Sequence, residues 1–93
     1  MRVKFFAYLR DYTGCSETDM PVVPTIGDLA RNLCERYGSR LREKLLPAGA
    51  GKEELGPDII IMINGRHIAH LGNINATLKD DDTVQIFPKV AGG

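Results

Sequence analysis

The chain has 93 residues, enough for one domain with a modest core that needs no covalent staple. Twelve Lys and Arg offset twelve Asp and Glu, so no global field draws it to nucleic acid or an anionic membrane. No apolar run approaches a bilayer-spanning length, and the opening MRVKFFAYLRDYTG has no secretion-signal pattern.

Residues 2 to 9 alternate, with Val3, Phe5, Ala7 and Leu9 on one face and Arg2, Lys4, Phe6 and Tyr8 on the other. Period-two alternation with aromatic and β-branched residues predicts a strand, the first set facing the core. DYTGCSE (11 to 17) is rich in turn formers, and TDMPVV (18 to 23) reads as a short second strand. Pro21 has no N–H for a ladder, which places that strand at a sheet edge. Thr25 opens a helix: its hydroxyl can accept from the Asp28 N–H, and Asp28 puts negative charge in the first turn. Ile26, Leu29, Ala30, Leu33 and Tyr37 form its apolar stripe, and Gly38 stands where a left-handed C-terminal cap belongs. SRLREKLL (39 to 46) adds a short helical segment that Pro47 ends.

The stretch from 47 to 58 is a loop. Its GAGK lacks the flanking Gly and Ser/Thr of a phosphate-binding loop, with Leu46 and Glu53 in those places. IIIMI (59 to 63) is apolar on both faces, as in a central strand covered on two sides. Asn64-Gly65 is a type I′ hairpin signal, and RHIAH (66 to 70) is the returning strand. LGNINATLKDDD is irregular. TVQIFP (83 to 88) is the last strand, with Val84 and Ile86 facing opposite to Gln85 and Phe87, and Pro88 is predicted to stop further pairing.

This order predicts an α+β domain of the ubiquitin-like β-grasp type, a mixed sheet of four to five strands with one main helix across one face. Residues 1–88 form the domain, and residues 89–93 a flexible tail ending in Gly92-Gly93. From Pro88 an extended segment reaches roughly 15–20 Å. Two residues without a Cβ can thread a channel closed to larger side chains. A terminal carboxylate is unreactive until an ATP-dependent partner converts it to an acyl adenylate; sulfide transfer then yields a thiocarboxylate, a soft nucleophilic sulfur donor. No nucleotide site is visible here, so activation falls to a partner.

VKFFAYLRDYTG, PTIGDL, INGRHI and LKDDDTVQIFPKVAGG resemble the small subunit of molybdopterin synthase, over nearly the whole chain and most specifically at its end. The resemblance implies that Gly93 is adenylated by a ubiquitin-activating-enzyme-like adenylyltransferase and receives sulfur from a sulfur-donating protein. As a thiocarboxylate, Gly93, with Gly92 as its slim neighbour, then gives sulfur to cyclic pyranopterin monophosphate. The large subunit supplies the active site in a heterotetramer. The chain is then no enzyme but a cytoplasmic sulfur carrier that binds no cofactor, with ATP used by the activating partner. A carrier for thiazole or cysteine synthesis, a protein modifier conjugated through Gly93, and a plain interaction module remain open. The turn before the last strand carries Asp81 where that family has glycine.

A docking patch follows from the alternation and the resemblance together. Phe6, Tyr8 and Phe87 face away from the helix, joined by Ile60 or Met62 if register allows. The resemblance makes Phe6 and Phe87 apolar partner contacts and Arg10 a rim contact; Pro88 completes the predicted surface. The alternative is that the loop from 47 to 57 covers these aromatics. Other candidates carry less. Cys34 borders the apolar stripe as a core thiol, and Cys15 has no basic sequence neighbour; their spacing fits neither a CxxC motif nor a disulfide scaffold, which points to a reducing compartment. His67 and His70, three apart on a predicted strand, face opposite ways and hold no metal together. Asp80, Asp81 and Asp82 read as a solvated turn, and Lys89 and Arg66 as exposed cations that could steer the tail.

Overall fold

The computed structural model describes residues 1–46 and 55–89. Its elements are β1 (Arg2–Phe5), α1 (Leu9–Thr13), β2 (Glu17–Asp19), α2 (Ile26–Tyr37), α3 (Ser39–Leu45), β3 (Ile59–Ile63), β4 (Arg66–His67) and β5 (Thr83–Pro88). Two 3₁₀ turns, Ile68–His70 and Asn73–Asn75, link β4 to β5. The five strands form one mixed sheet in the order β2-β1-β5-β3-β4. β1 and β5, the first and last strands, run parallel at its centre, and every other pairing is antiparallel. This is the ubiquitin-like β-grasp.

The core lies between one sheet face and the helices. Val3, Phe5, Ile59, Ile61, Ile63, Val84 and Ile86 meet Ile26, Leu29, Leu33, Leu41 and Leu45. Each such buried aliphatic side chain contributes about 1.5–3 kcal/mol. α2 begins as its sequence predicts: the Thr25 hydroxyl accepts from the Asp28 N–H at 3.3 Å. Hydrogen bonds from Arg31 and from Thr25 hold the Asp28 carboxyl below its ordinary range. Gly38 closes α2 with φ 93° and ψ −166°, a glycine region outside the left-handed helical well, and its carbonyl starts α3.

Several expectations are corrected. The first strand stops at Phe5: the Phe6 N–H still donates to Ile86 O at 3.1 Å, but Ala7 adopts φ 54° and turns the chain into α1. Leu9 is buried, from a helix rather than a strand, and Ala7 is exposed. The second strand is Glu17–Asp19 rather than 18 to 23, although it does lie at the edge. The returning strand ends at His67, because His67 Nδ1 accepts the Ala69 N–H at 3.0 Å and caps a 3₁₀ turn. The turn brings the His67 and His70 rings to an edge contact at 6.3 Å, so they do not face opposite ways.

β3 is covered on one face only; Ile60 and Met62 on the other are half-buried. Pro88 does not end pairing, since the Lys89 N–H donates to Asp58 O at 2.6 Å. Asp81 is not left-handed, so its turn needs no glycine. Asp82 is buried rather than solvated. Its Oδ1 accepts from Asn64 Nδ2 and its Oδ2 from the Lys79 N–H, both at 2.8 Å.

Candidate interaction face and chain exit

The strand registers assemble one surface on the sheet face away from the helices. Phe87 pairs with Ile60, and Gln85 with Met62, across β5 and β3. Met62 pairs in turn with His67 of β4, and Gln85 with Lys4 of β1. Phe6, just beyond β1, stacks on Phe87 with ring centroids 4.3 Å apart and planes 15° from parallel. Alternation forces this clustering: side chains two apart share a face, and the same face of each strand is aligned by the ladder. Gln85 is held by the Gly65 N–H, which donates to its Oε1 at 3.0 Å.

The result is a half-buried apolar centre of Phe6, Ile60, Met62 and Phe87 with Lys4, Gln85 and His67 around it. Aromatic and methionine anchors inside a polar rim are the usual make-up of a protein-binding patch. Gln85 and His67 were missed by the sequence analysis, although alternation within β5 and the hairpin register carried the signal for both.

The other predicted contacts separate. Tyr8 leaves the patch, because the turn at Ala7 sends it to α1, where its ring lies 5.4 Å from that of Tyr12. Pro88 is buried on the core side with Val84 and Ile86, so it supports the patch from beneath rather than offering a contact. Arg10 is exposed on α1, and its Nε donates to Ala7 O at 3.4 Å. Gly92 and Gly93 lie outside the described residues, as does most of the loop expected to cover the aromatics. The last described residue, Lys89, is fixed to Asp58 beside the Phe87 end of β5, which defines where the chain leaves the platform.

Burial pushes the Cys34 thiol up, with Arg42 opposing it weakly. Cys15 Sγ sits 3.7 Å from the Tyr37 hydroxyl, whose own pKa is raised chiefly by burial. No group of three or more His, Cys, Asp or Glu that could hold a metal occurs among the described residues. No helix among them is long and apolar enough to cross a membrane.

The family model described as the ThiS family matches residues 3–93. The chain belongs to the ThiS family. Small archaeal modifier protein 3 of Haloferax volcanii is 34% identical over 95 residues, covering 100% of this chain and 98% of that one. The solution structure of small archaeal modifier protein 1 from Methanosarcina acetivorans superposes with a TM-score of 0.82 at 35% identity, covering 99% of this chain and 94% of the other. A crystal structure of the Amycolatopsis orientalis BexX/CysO complex matches at TM-score 0.79 and 26% identity, over 99% of this chain and 98% of its counterpart. The resemblance to the molybdopterin synthase small subunit thus resolves into membership of the wider ubiquitin-like family, with modifier proteins among its similar relatives.

Proposed function

We propose that this ThiS-family protein is a ubiquitin-like modifier, activated and conjugated through the carboxylate of Gly93. In the activating step a carboxylate oxygen attacks the α-phosphorus of ATP held by an adenylyltransferase partner, and pyrophosphate leaves. A lysine amine then attacks the acyl carbon, AMP leaves, the amine loses a proton, and an isopeptide bond forms. This chain is the group transferred and takes no catalytic part. Its contribution is a rigid platform, the Phe6–Phe87–Ile60–Met62 patch for docking, and a terminus without side chains.

The observation that carries the reading is full-length similarity to two proteins named as small archaeal modifiers. A second reading is favoured by the INGRHI and IFPKVAGG segments, which resemble the molybdopterin synthase small subunit. There sulfide, rather than an amine, displaces AMP, and the resulting thiocarboxylate donates sulfur for the dithiolene of molybdopterin on a large-subunit partner.

The test is to express the tagged chain in its own host, with and without Gly92-Gly93, and to analyse it by denaturing electrophoresis and intact-mass spectrometry. Conjugates that vanish on the deletion support the modifier. A free chain whose mass shows one oxygen replaced by sulfur, without conjugates, supports the carrier. Neither product overturns both.

A further inference from the structure

The zero net charge conceals a separation of charge. At the chain-exit end, α1 packs against α3 and β5. Leu45 O at the end of α3 accepts the Gly56 N–H, Gly56 O accepts the Ile59 N–H, and Ile59 pairs with Pro88. The C-terminal end of α3 therefore sits beside the point where the chain leaves the sheet. α1 and α3 contribute Arg10, Arg40, Arg42 and Lys44 and β5 is followed by Lys89, with Asp11 and Glu43 on the same helices and Asp58 beside Lys89. At the other end of β1 and β5 lie Asp19, Asp80 and Asp81 around a shallow cleft with Arg2.

Two of these cations are held in place without being neutralised. The Arg40 guanidinium carbon lies 4.4 Å from the Tyr12 ring centroid, and Lys44 Nζ lies 5.7 Å from that of Tyr8. Arg40 and Lys44 are four apart, so they share one face of α3. Among the described residues the ion pairs are those of Arg2 with Glu17 and Asp19 and of Arg31 with Asp28. A ring face attracts a cation and limits its rotamers but leaves its charge to be met by something else. Two ordered, uncompensated cations have already lost part of the side-chain freedom that binding would otherwise remove.

We propose that the α1–α3 face around Tyr8, Tyr12, Arg40 and Lys44 is a second docking surface, which receives an acidic polypeptide segment of the protein that handles the chain's terminus. This rests on the reading that a protein partner takes up that terminus. Charge complementarity selects carboxylates, and one feature argues against nucleic acid. The tyrosine faces on which bases would stack are already occupied by the cations.

The test is a titration of the isotope-labelled full chain with a deca-glutamate peptide, followed by amide NMR, beside a decauridylate control. Peptide-induced shifts are expected at Tyr8, Tyr12, Arg40 and Lys44, weakening as salt is added. The double substitution Arg40→Gln, Lys44→Gln should raise the apparent Kd at least about tenfold while leaving the remaining amide spectrum unchanged. Each single substitution, with a smaller increase, keeps the measurement decisive if the double variant misfolds. Shifts confined to other faces, or decauridylate binding as tight as the peptide, would overturn the proposal. The same titration on a chain lacking Gly92 and Gly93 should be unchanged, so failure of the terminal chemistry and failure of this surface are read separately.

Discussion

At the residue scale, the polar side chain that matters most to the platform is Asp82. It is buried, and both its oxygens are used, one by the Asn64 amide and one by the Lys79 backbone N–H. The Asn64 N–H donates to Thr83 O at 2.8 Å, and the Asn64 side-chain oxygen accepts the Thr83 N–H at 2.9 Å. The three residues tie the β3–β4 turn to the start of β5. Asp82→Ala strands two donors, one of them a backbone amide, and should lower unfolding free energy by about 2 kcal/mol in urea denaturation. Asp80→Ala and Asp81→Ala, at exposed positions, should each stay within about 0.5 kcal/mol. Equal losses at all three positions would refute the asymmetry. Sequence alone presents three like residues in a row; what separates them is the side chain of Asn64, eighteen positions away.

At the element scale, α2 shows how a legible helix carries an illegible constraint. Its N-cap and apolar stripe are local signals that form as the sequence predicts, whereas Gly38 ends the helix outside the left-handed well expected of it. Gly27 is different. A Cβ there would stand 2.8 Å from Ile74 Cγ1 and 3.2 Å from Ile74 O, in the 3₁₀ turn packed against the helix. Alanine is favoured over glycine within a helix by about 1 kcal/mol, whereas overpacking costs about 1–3 kcal/mol. Because the clash includes backbone, Gly27→Ala should destabilise the protein by about 1 kcal/mol, seen as a lower thermal midpoint. A higher midpoint would mean that the Asn73–Asn75 turn yields freely. β1 and β4 teach the converse lesson. Their alternating patterns run on past the real strand ends, because residues 6 to 9 and 68 to 70 fit a turn as well as a strand. Local backbone events at Ala7 and His67 decide the matter.

At the scale of the whole molecule, the apolar patch and the chain exit meet at the C-terminal end of one strand. β5 brings Phe87 to the outer face and hands the chain to Lys89 three hydrogen-bonded strands deep in the sheet. Phe87→Ala removes a half-buried stacking partner and should cost about 0.5–1.5 kcal/mol, leaving the fold intact. Its larger effect belongs to binding. Calorimetry against the adenylyltransferase partner proposed above should show affinity reduced at least about tenfold, as for a central aromatic anchor. Lys79→Ala, beyond the patch, should leave affinity unchanged. Equal affinity for Phe87→Ala and the unsubstituted chain would remove the patch from the docking account.

Residue order alone carries the five strands around α2, the α2 N-cap, the hairpin at Asn64-Gly65 and the two faces of β5, though not α1. All of these rest on interactions within a few residues: hydroxyl to amide, a glycine at positive φ, alternation at period two. Tertiary structure alone decided which aromatics meet. It joined Phe6 to Phe87 through the parallel pairing of chain ends some eighty residues apart, sent Tyr8 to a different face, and buried Asp82. It also gathered cations beside the chain exit in a molecule whose charges sum to zero. Periodicity specifies a face, but only strand register and helix packing specify what lies opposite it.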